Sequence, residues 1–205
     1  MAEIAEDDAV PGGLAAAAHV VVGEDGLVRC SWAAGDPEYR RYHDEEWGRP
    51  LHGDRPLFEK LTLEGFQAGL SWITILRKRP RFREVFAGFD PALVARFTPD
   101  DVSRLMDDPG IIRNRAKIEA TIGNARVVVG LAPGELDELL WSFAPTSWAR
   151  PSAWAEVQAV TPESTAMSKA LKKRGLRFVG PTTMFALMQS TGMVDDHFAG
   201  CWRAG

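Results

Sequence analysis

Glu64 is a carboxylate standing where a helix should be apolar. In LFEKLTLEGFQAGLSWITILRKR (Leu57–Arg79), the apolar Leu57, Leu61, Ala68 and Trp72 recur at helical spacing, and Glu64 falls in the same stripe. Burying a lone carboxylate is costly unless a cation or several donors meet it. The position therefore fits a pocket whose occupant supplies those donors, and which favours the protonated acid when empty. Two other arrangements satisfy the pattern: Gly65 and Gly69 turn the acid out to water, or an arginine pairs it.

A second set of residues has metal-ligand chemistry. The only two cysteines each have a histidine nearby, Cys30 with His43 (C-x12-H) and Cys201 with His197 (H-x3-C). Two thiolates and two imidazoles make a tetrahedral zinc set. The second pair has the spacing of one helical turn, whereas the first needs the chain between to fold back. Four protein ligands leave no open position for an activated water, so one such Zn2+ per chain is structural and ties the two ends together, which argues against a zinc hydrolase. The alternative is two unrelated buried cysteines and two ordinary histidines.

The turn Asp108-Pro109-Gly110-Ile111-Ile112 has the form of a hairpin that meets a DNA backbone. Its glycine permits close approach, amides at the following helix start receive a phosphate, and Arg113 and Arg115 add cationic reach. Many helical bundles use a bare glycine turn of this kind, so its neighbours decide its meaning.

The elements that must position these groups read as helices. DPEYRRYHDEEW (Asp36–Trp47) opens with an Asp-Pro start and carries Tyr39, Tyr42, His43 and Trp47 at helical spacings. The central stretch predicts two helices broken near Gly69 to Ser71, with Trp72 opening the second. FDPALVARF and TPDDVSRLM predict two short helices, the latter capped by Thr98, and Ile111 to Val129 predicts the helix after the hairpin. Ser142 to Pro162 reads as an extended connection anchored by Trp141, Phe143, Trp148 and Trp154. Ser164 to Arg174 and Pro181 to Gln189 read as the last helices, stopped by Gly175 and Gly192. With no useful strand alternation, the expected class is all-α.

Length and composition agree with one globular unit. The 205 residues can bury a substantial core without disulfides, and no apolar run approaches the ~18 residues that span a membrane. With no secretory signal pattern, the expected location is the cytoplasm. The net charge is −4, but Glu3, Glu6, Asp7, Asp8, Glu24 and Asp25 against Arg29 place −5 before Cys30, leaving +1 for the rest. Residues 1–26 predict an acidic tail without fixed structure. Bases gather at Arg77 to Arg83 and at Lys169 to Arg177, offering a local surface for nucleic acid.

Five blocks in order, C-x-W (Cys30–Trp32), YHDEEWG (Tyr42–Gly48), LEGFQAGLSWITIL (Leu63–Leu76), GIIRNRAKI (Gly110–Ile118) and SKALKKRGLRFVGPTTMF (Ser168–Phe185), carry a resemblance. From about Arg29 to Cys201 the chain resembles the 3-methyladenine DNA glycosylase I family of the helix-hairpin-helix superfamily. The resemblance implies an all-α glycosylase core over 27–205, with a helix-hairpin-helix lobe at about 55–135 and a zinc-stapled lobe made of 27–54 and 136–205. It implies a monomer that takes alkylated double-stranded DNA, flips out 3-methyladenine and releases it by hydrolysis. It places the structural zinc on Cys30, His43, His197 and Cys201, the base-recognising and catalytic carboxylate on Glu64, and the base-stacking rings on Trp32, Tyr39, Tyr42, Trp47 and Trp72. Gln67, Gly69 and Leu70 fall where relatives face the gap left by the flipped nucleotide, although Leu70 could instead pack in the core. Lys169, Lys172 and Lys173, with Gly110, Ile111, Arg113 and Arg115, would contact phosphates. Most of the superfamily has a catalytic Asp about twenty residues past the hairpin glycine. Like the family it resembles, this chain lacks it, having no acid between Glu119 and Glu135. A base made cationic by N3-methylation tolerates that absence because it is a far better leaving group. The competing function is a non-enzymatic, zinc-stapled helix-hairpin-helix module that binds DNA without excising a base.

Overall fold

The computed structural model describes residues 18–204. A short antiparallel hairpin, β1 (Val20–Val22) and β2 (Val28–Cys30), precedes nine α-helices among the described residues. They are α1 (Pro37–Glu45), α2 (Asp54–Gln67), α3 (Trp72–Val85), α4 (Pro91–Val94), α5 (Pro99–Asp107), α6 (Arg115–Val129), α7 (Glu135–Trp141), α8 (Pro162–Lys173) and α9 (Pro181–Ser190). The described residues are mostly helical, and the hairpin, which begins within the stretch read as tail, is an element the sequence does not reveal. Three-residue strands around Asp25 and Gly26 are too short to show alternation, yet they pair Val20 with Cys30 and so place that thiol. Residues 1–17 of the expected tail lie outside the described residues. No described helix is long and apolar enough to cross a membrane.

Side-chain caps set most helix starts. Asp36 accepts from the amides of Glu38 (2.8 Å) and Tyr39 (3.2 Å), Thr98 and Asp101 form a reciprocal capping box, and Asn114 and Thr161 cap α6 and α8. Helix α6 begins at Arg115 rather than Ile111 because the chain stays extended until the Asn114 cap, with Ile111 inserted in the core. Helix α1 ends at Glu45, leaving Trp47 in the turn beyond.

Helix α2 lies at the centre, packed against α3, α6, α7 and α9, and one continuous apolar core runs from Leu57 to Val194. Its start is locked to that of α7: Asp54 accepts from the amides of Gly134 (2.7 Å) and Asp137 (3.0 Å), while Asp137 accepts from Gly53 (2.6 Å). Its end is held by α6, whose Lys117 ammonium donates to the carbonyls of Phe66 (2.9 Å) and Ala68 (2.7 Å). The chain then turns through Gly69 at φ +85° and resumes as α3 at Trp72, as the break at Gly69 to Ser71 predicts. Ala68 is exposed, so the buried stripe of α2 is Leu57, Leu61 and Glu64, with Trp72 belonging to the next helix. A smaller cluster of Cys30, Phe198 and Cys201 joins the two ends of the chain.

Candidate active site

Glu64 is buried, only 3% exposed, at a cleft of about 220 Å³ lined by Trp32, Tyr39, Tyr42, Trp47 and Trp72 together with Gln67, Ala186, Gln189 and Ser190. All five expected aromatic residues therefore come together around the carboxylate. Tyr39 and Tyr42 stand on successive turns of α1, Trp72 opens α3, and Trp32 and Trp47 come from the segments flanking α1. Trp32 meets Tyr39 at 5.6 Å and Trp47 at 5.1 Å edge-on, and Tyr42 lies 5.5 Å from Trp72. The Tyr39 hydroxyl accepts from the Ile73 amide (3.1 Å), fixing α1 to the start of α3. The Trp72 indole nitrogen is buried without a partner among the described residues.

Two partners of Glu64 are not among the residues singled out from the sequence. Ser190 donates to its Oε1 at 3.1 Å, and the Lys60 ammonium lies 3.4 Å from the same atom. Burial pushes the Glu64 carboxyl above its ordinary pKa, and Lys60 and Ser190 oppose that rise. Lys60 stands four residues before Glu64, a spacing that marks a helical ion pair and could have flagged it. Ser190 and Gln189 come from the far end of α9, and only the packing of α9 on α2 brings them in. Of the alternatives for Glu64, exposure to water is excluded, and its cation is a lysine rather than an arginine.

Beside the cleft, the ligand atoms of Cys30, His43 and Cys201 lie within 4.8 Å of one another and could hold a metal ion. His197 is outside that tight set, but its ring centroid is 5.0 Å from that of His43 and its Nε2 is buried with no partner. The opposite nitrogens are held by carboxylates, His43 Nδ1 by Asp44 (2.8 Å) and His197 Nδ1 by Asp195 (2.9 Å). This outer arrangement orients imidazoles towards a metal. Amides of Phe198 and Arg203 donate to Cys30 and Cys201 Sγ, both at 3.4 Å. The neighbouring Cys30 thiol holds Cys201 below the ordinary thiol range, while Cys201 and burial push Cys30 up. Trp32 packs on His43 (5.2 Å) and Trp47 on His197 (4.6 Å), so the metal-ligand set and the aromatic cleft share a wall.

The expected DNA contacts occupy three places. Gln67 ends α2 and lines the cleft, and Gly69 and Leu70 lie in the turn that follows, where Leu70 is 41% exposed rather than packed in the core. Gly110 sits in the turn between α5 and α6, its amide taken by Asp108 (2.7 Å), with Arg113 and Arg115 exposed beside it and the Ile111 side chain buried. Lys169, Lys172 and Lys173 are exposed on α8. The basic run at Arg77 to Arg83 is not the open basic surface its composition suggests. Arg77 pairs with Asp36, Arg79 with Glu46, Arg81 with Asp108 and Arg83 with Glu59, while Lys78 donates to the Pro109 carbonyl (2.7 Å). It braces the α5–α6 turn from behind.

Comparison with known proteins agrees with this arrangement. Residues 32–204 match the family described as methyladenine glycosylase. The chain is 48% identical over 179 residues to DNA-3-methyladenine glycosylase 1 of Escherichia coli (strain K12), covering 85% of this chain and 96% of that protein. Among solved structures, a crystal structure of 3-methyladenine DNA glycosylase I superposes with a TM-score of 0.82 at 43% identity, covering 86% of this chain and all of the other. The 3-methyladenine DNA glycosylase I of Staphylococcus aureus, solved to explain 3-methyladenine recognition, gives a TM-score of 0.78 at 34% identity over 85% of this chain and 95% of its own. With a buried carboxylate beneath five aromatic rings and nearly the whole described chain matched, this protein belongs to the methyladenine glycosylase family.

Proposed function

We propose that the chain is a base-excision repair enzyme that flips 3-methyladenine out of alkylated duplex DNA and hydrolyses its N-glycosidic bond. The observation that carries this reading is the Glu64 carboxylate, buried at a cleft whose other walls are mostly aromatic. Rings favour the face of a cationic purine, and the carboxylate accepts a hydrogen bond from its edge. A module that only binds DNA backbone has no use for such a group, because a carboxylate repels phosphates.

Excision then needs little separate acid-base machinery. Trp72 and its neighbours stack on the flipped base while Glu64 holds its edge and excludes purines lacking the charge. Water adds to the sugar C1′ as the bond to N9 breaks, the electron pair of that bond neutralises the departing methylated adenine, and the water gives up one proton to solvent to leave a C1′ hydroxyl. Glu64 is catalytic in this sense of recognition.

Cys30, His43, His197 and Cys201 fit a structural zinc ion. Thiolates and imidazoles are its usual donors, the orphaned His197 Nε2 is the fourth, and Asp44 and Asp195 supply the outer carboxylates. Bound there, zinc supplies a cross-link between the chain ends and no open position for chemistry. Helices α5 and α6 with the Gly110 turn form the helix-hairpin-helix that meets the DNA backbone, aided by Arg113, Arg115, Lys169, Lys172 and Lys173. Gln67, Gly69 and Leu70 face the gap left by the flipped nucleotide, and exposure of Leu70 suits it to fill that gap.

Incubation with methylated duplex DNA, followed by chromatography of the released bases, tests the proposal. Release of 3-methyladenine by the wild type is expected. Binding to the same duplex without release of any base would support the non-enzymatic module instead.

A further inference from the structure

Lys60 carries an ammonium buried behind the aromatic cleft, against Tyr42, Trp72 and Glu64 of its lining. Its Nζ lies 2.6 Å from the Tyr42 hydroxyl, 3.4 Å from Glu64 Oε1, 4.0 Å from the Trp72 ring centroid and 4.8 Å from that of Tyr42. The residue is only 8% exposed, and it lines a second cleft, of about 260 Å³, that shares Tyr42 and Ser190 with the first. An ammonium is thus in contact with the carboxylate and two of the rings that would receive a cationic base.

Placing it there costs desolvation of both charges, so it must change something in the site. The other charged groups around it do not replace it. Glu46, just beyond α1, is engaged with Arg79 of α3 at 2.5 Å, and the Tyr42 phenol is held neutral by burial. Ser190 of α9 gives Glu64 one hydroxyl donor. Without Lys60, a carboxyl group with a single neutral donor would remain in an aromatic cleft, where desolvation favours its protonated form. A protonated carboxyl gives a cationic purine neither charge nor two free acceptor oxygens.

We propose that Lys60 is a positioning residue for base recognition, keeping Glu64 ionised before the base arrives, where the sequence alone suggests a protonated acid in the empty pocket. The placement of the two clefts suits that role. Glu64 faces the aromatic cleft while Lys60 faces the second one, so a base can fill the first without displacing the lysine from α2. Burial lowers the pKa of Lys60 and raises that of Glu64, and the attraction between the two groups opposes both shifts. This inference rests on Glu64 being the group that meets the base.

The test is the pH dependence of kcat/KM for release of 3-methyladenine from methylated duplex DNA. Loss of activity on the acid side reports protonation of Glu64. Lys60→Met is expected to move that acid limb upward by about 1 to 3 pH units, the usual effect of removing an opposite charge at this range, while the rate above the limb stays close to wild type. Lys60→Arg should keep the wild-type limb, and Glu64→Gln should show no such limb. The Glu64 carboxyl carbon, titrated by NMR in the free protein, should show the same displacement in Lys60→Met without depending on activity. Lys60→Gln serves with the same outcomes where the methionine variant does not fold. An unmoved limb and NMR midpoint, or a rate lowered equally at every pH, overturns the role given to Lys60. A wild type that releases no base instead overturns the glycosylase reading, and the NMR titration still decides whether Lys60 holds Glu64 ionised.

Discussion

Glu64 and the base it is proposed to hold share a charge-assisted hydrogen bond in a desolvated cleft, a contact of roughly 1.5 to 3 kcal/mol. Glu64→Gln keeps shape and hydrogen bonding but removes the charge, so affinity for 3-methyladenine is expected to fall by roughly 10- to 150-fold, with undamaged duplex binding nearly unchanged. Glu64→Ala should lose more, because a ring donor is left unpaired. Calorimetric titration of free base into the three proteins checks this, and equal binding by Glu64→Ala would remove Glu64 from the recognition role. A different single-atom constraint acts at Gly48. Its φ is +73°, and a methyl group there would lie 2.7 Å from His197 Cε1. If the proposed zinc site is filled, Gly48→Ala should therefore push His197 away from it and lower zinc content and melting temperature together, as read by atomic absorption and thermal unfolding.

At the scale of the element, α2 carries both Lys60 and Glu64, and its two ends are fixed by other helices. The α6 ammonium of Lys117 on the carbonyls of Phe66 and Ala68 determines where α2 stops and how the Leu70 turn leaves it. At the other end Asp54 caps α7 by accepting from two of its leading amides. Asp54→Ala leaves those donors without their partner and should cost about 1 to 2 kcal/mol, measured by urea denaturation. Since Asp54 lies ten residues from Glu64, 3-methyladenine affinity of the folded variant should stay at the wild-type value. The break between α2 and α3, the Asp36 and Thr98 starts and the turn after α5 are legible from glycine, proline and capping residues, because those signals act within a few residues. Hairpin β1–β2 is not, since its strands gain stability from pairing rather than from any local pattern.

Across the whole molecule, the exposed bases that remain unpaired matter more than the net charge. Lys169, Lys172 and Lys173 stand out on α8 without an ion pair among the described residues, whereas all four arginines from Arg77 to Arg83 are paired. Replacing the three lysines with alanine should weaken binding to damaged and undamaged duplexes alike. If all three meet phosphates, the slope of log affinity against log salt should fall by roughly 2.7. Fluorescence anisotropy over a salt series measures both effects, and an unchanged slope would place the DNA away from α8. Affinity for free 3-methyladenine should not move.

The residues that the fold gathers at the candidate sites were readable before any fold: an acid in an apolar stripe, two Cys–His pairs, and aromatic residues at helical spacing around Tyr42. Residue type and local spacing suffice for these because helix periodicity determines which side chains share a face. The sequence also left open whether Leu70 is core or surface, and whether the acid faces water, and it suggested a free basic run at Arg77 to Arg83. Tertiary packing decided each of these. Leu70 is exposed because Lys117 ends α2 just before it, Glu64 is enclosed because α9 brings Ser190 across it, and the arginines of that run find acids 24 to 41 residues away in the chain. Lys60 shows the limit most clearly. Its spacing from Glu64 is visible in the sequence, but that the pair is buried against Tyr42 and Trp72 follows only when α1 and α3 close over α2, because desolvation depends on neighbours that no local pattern names.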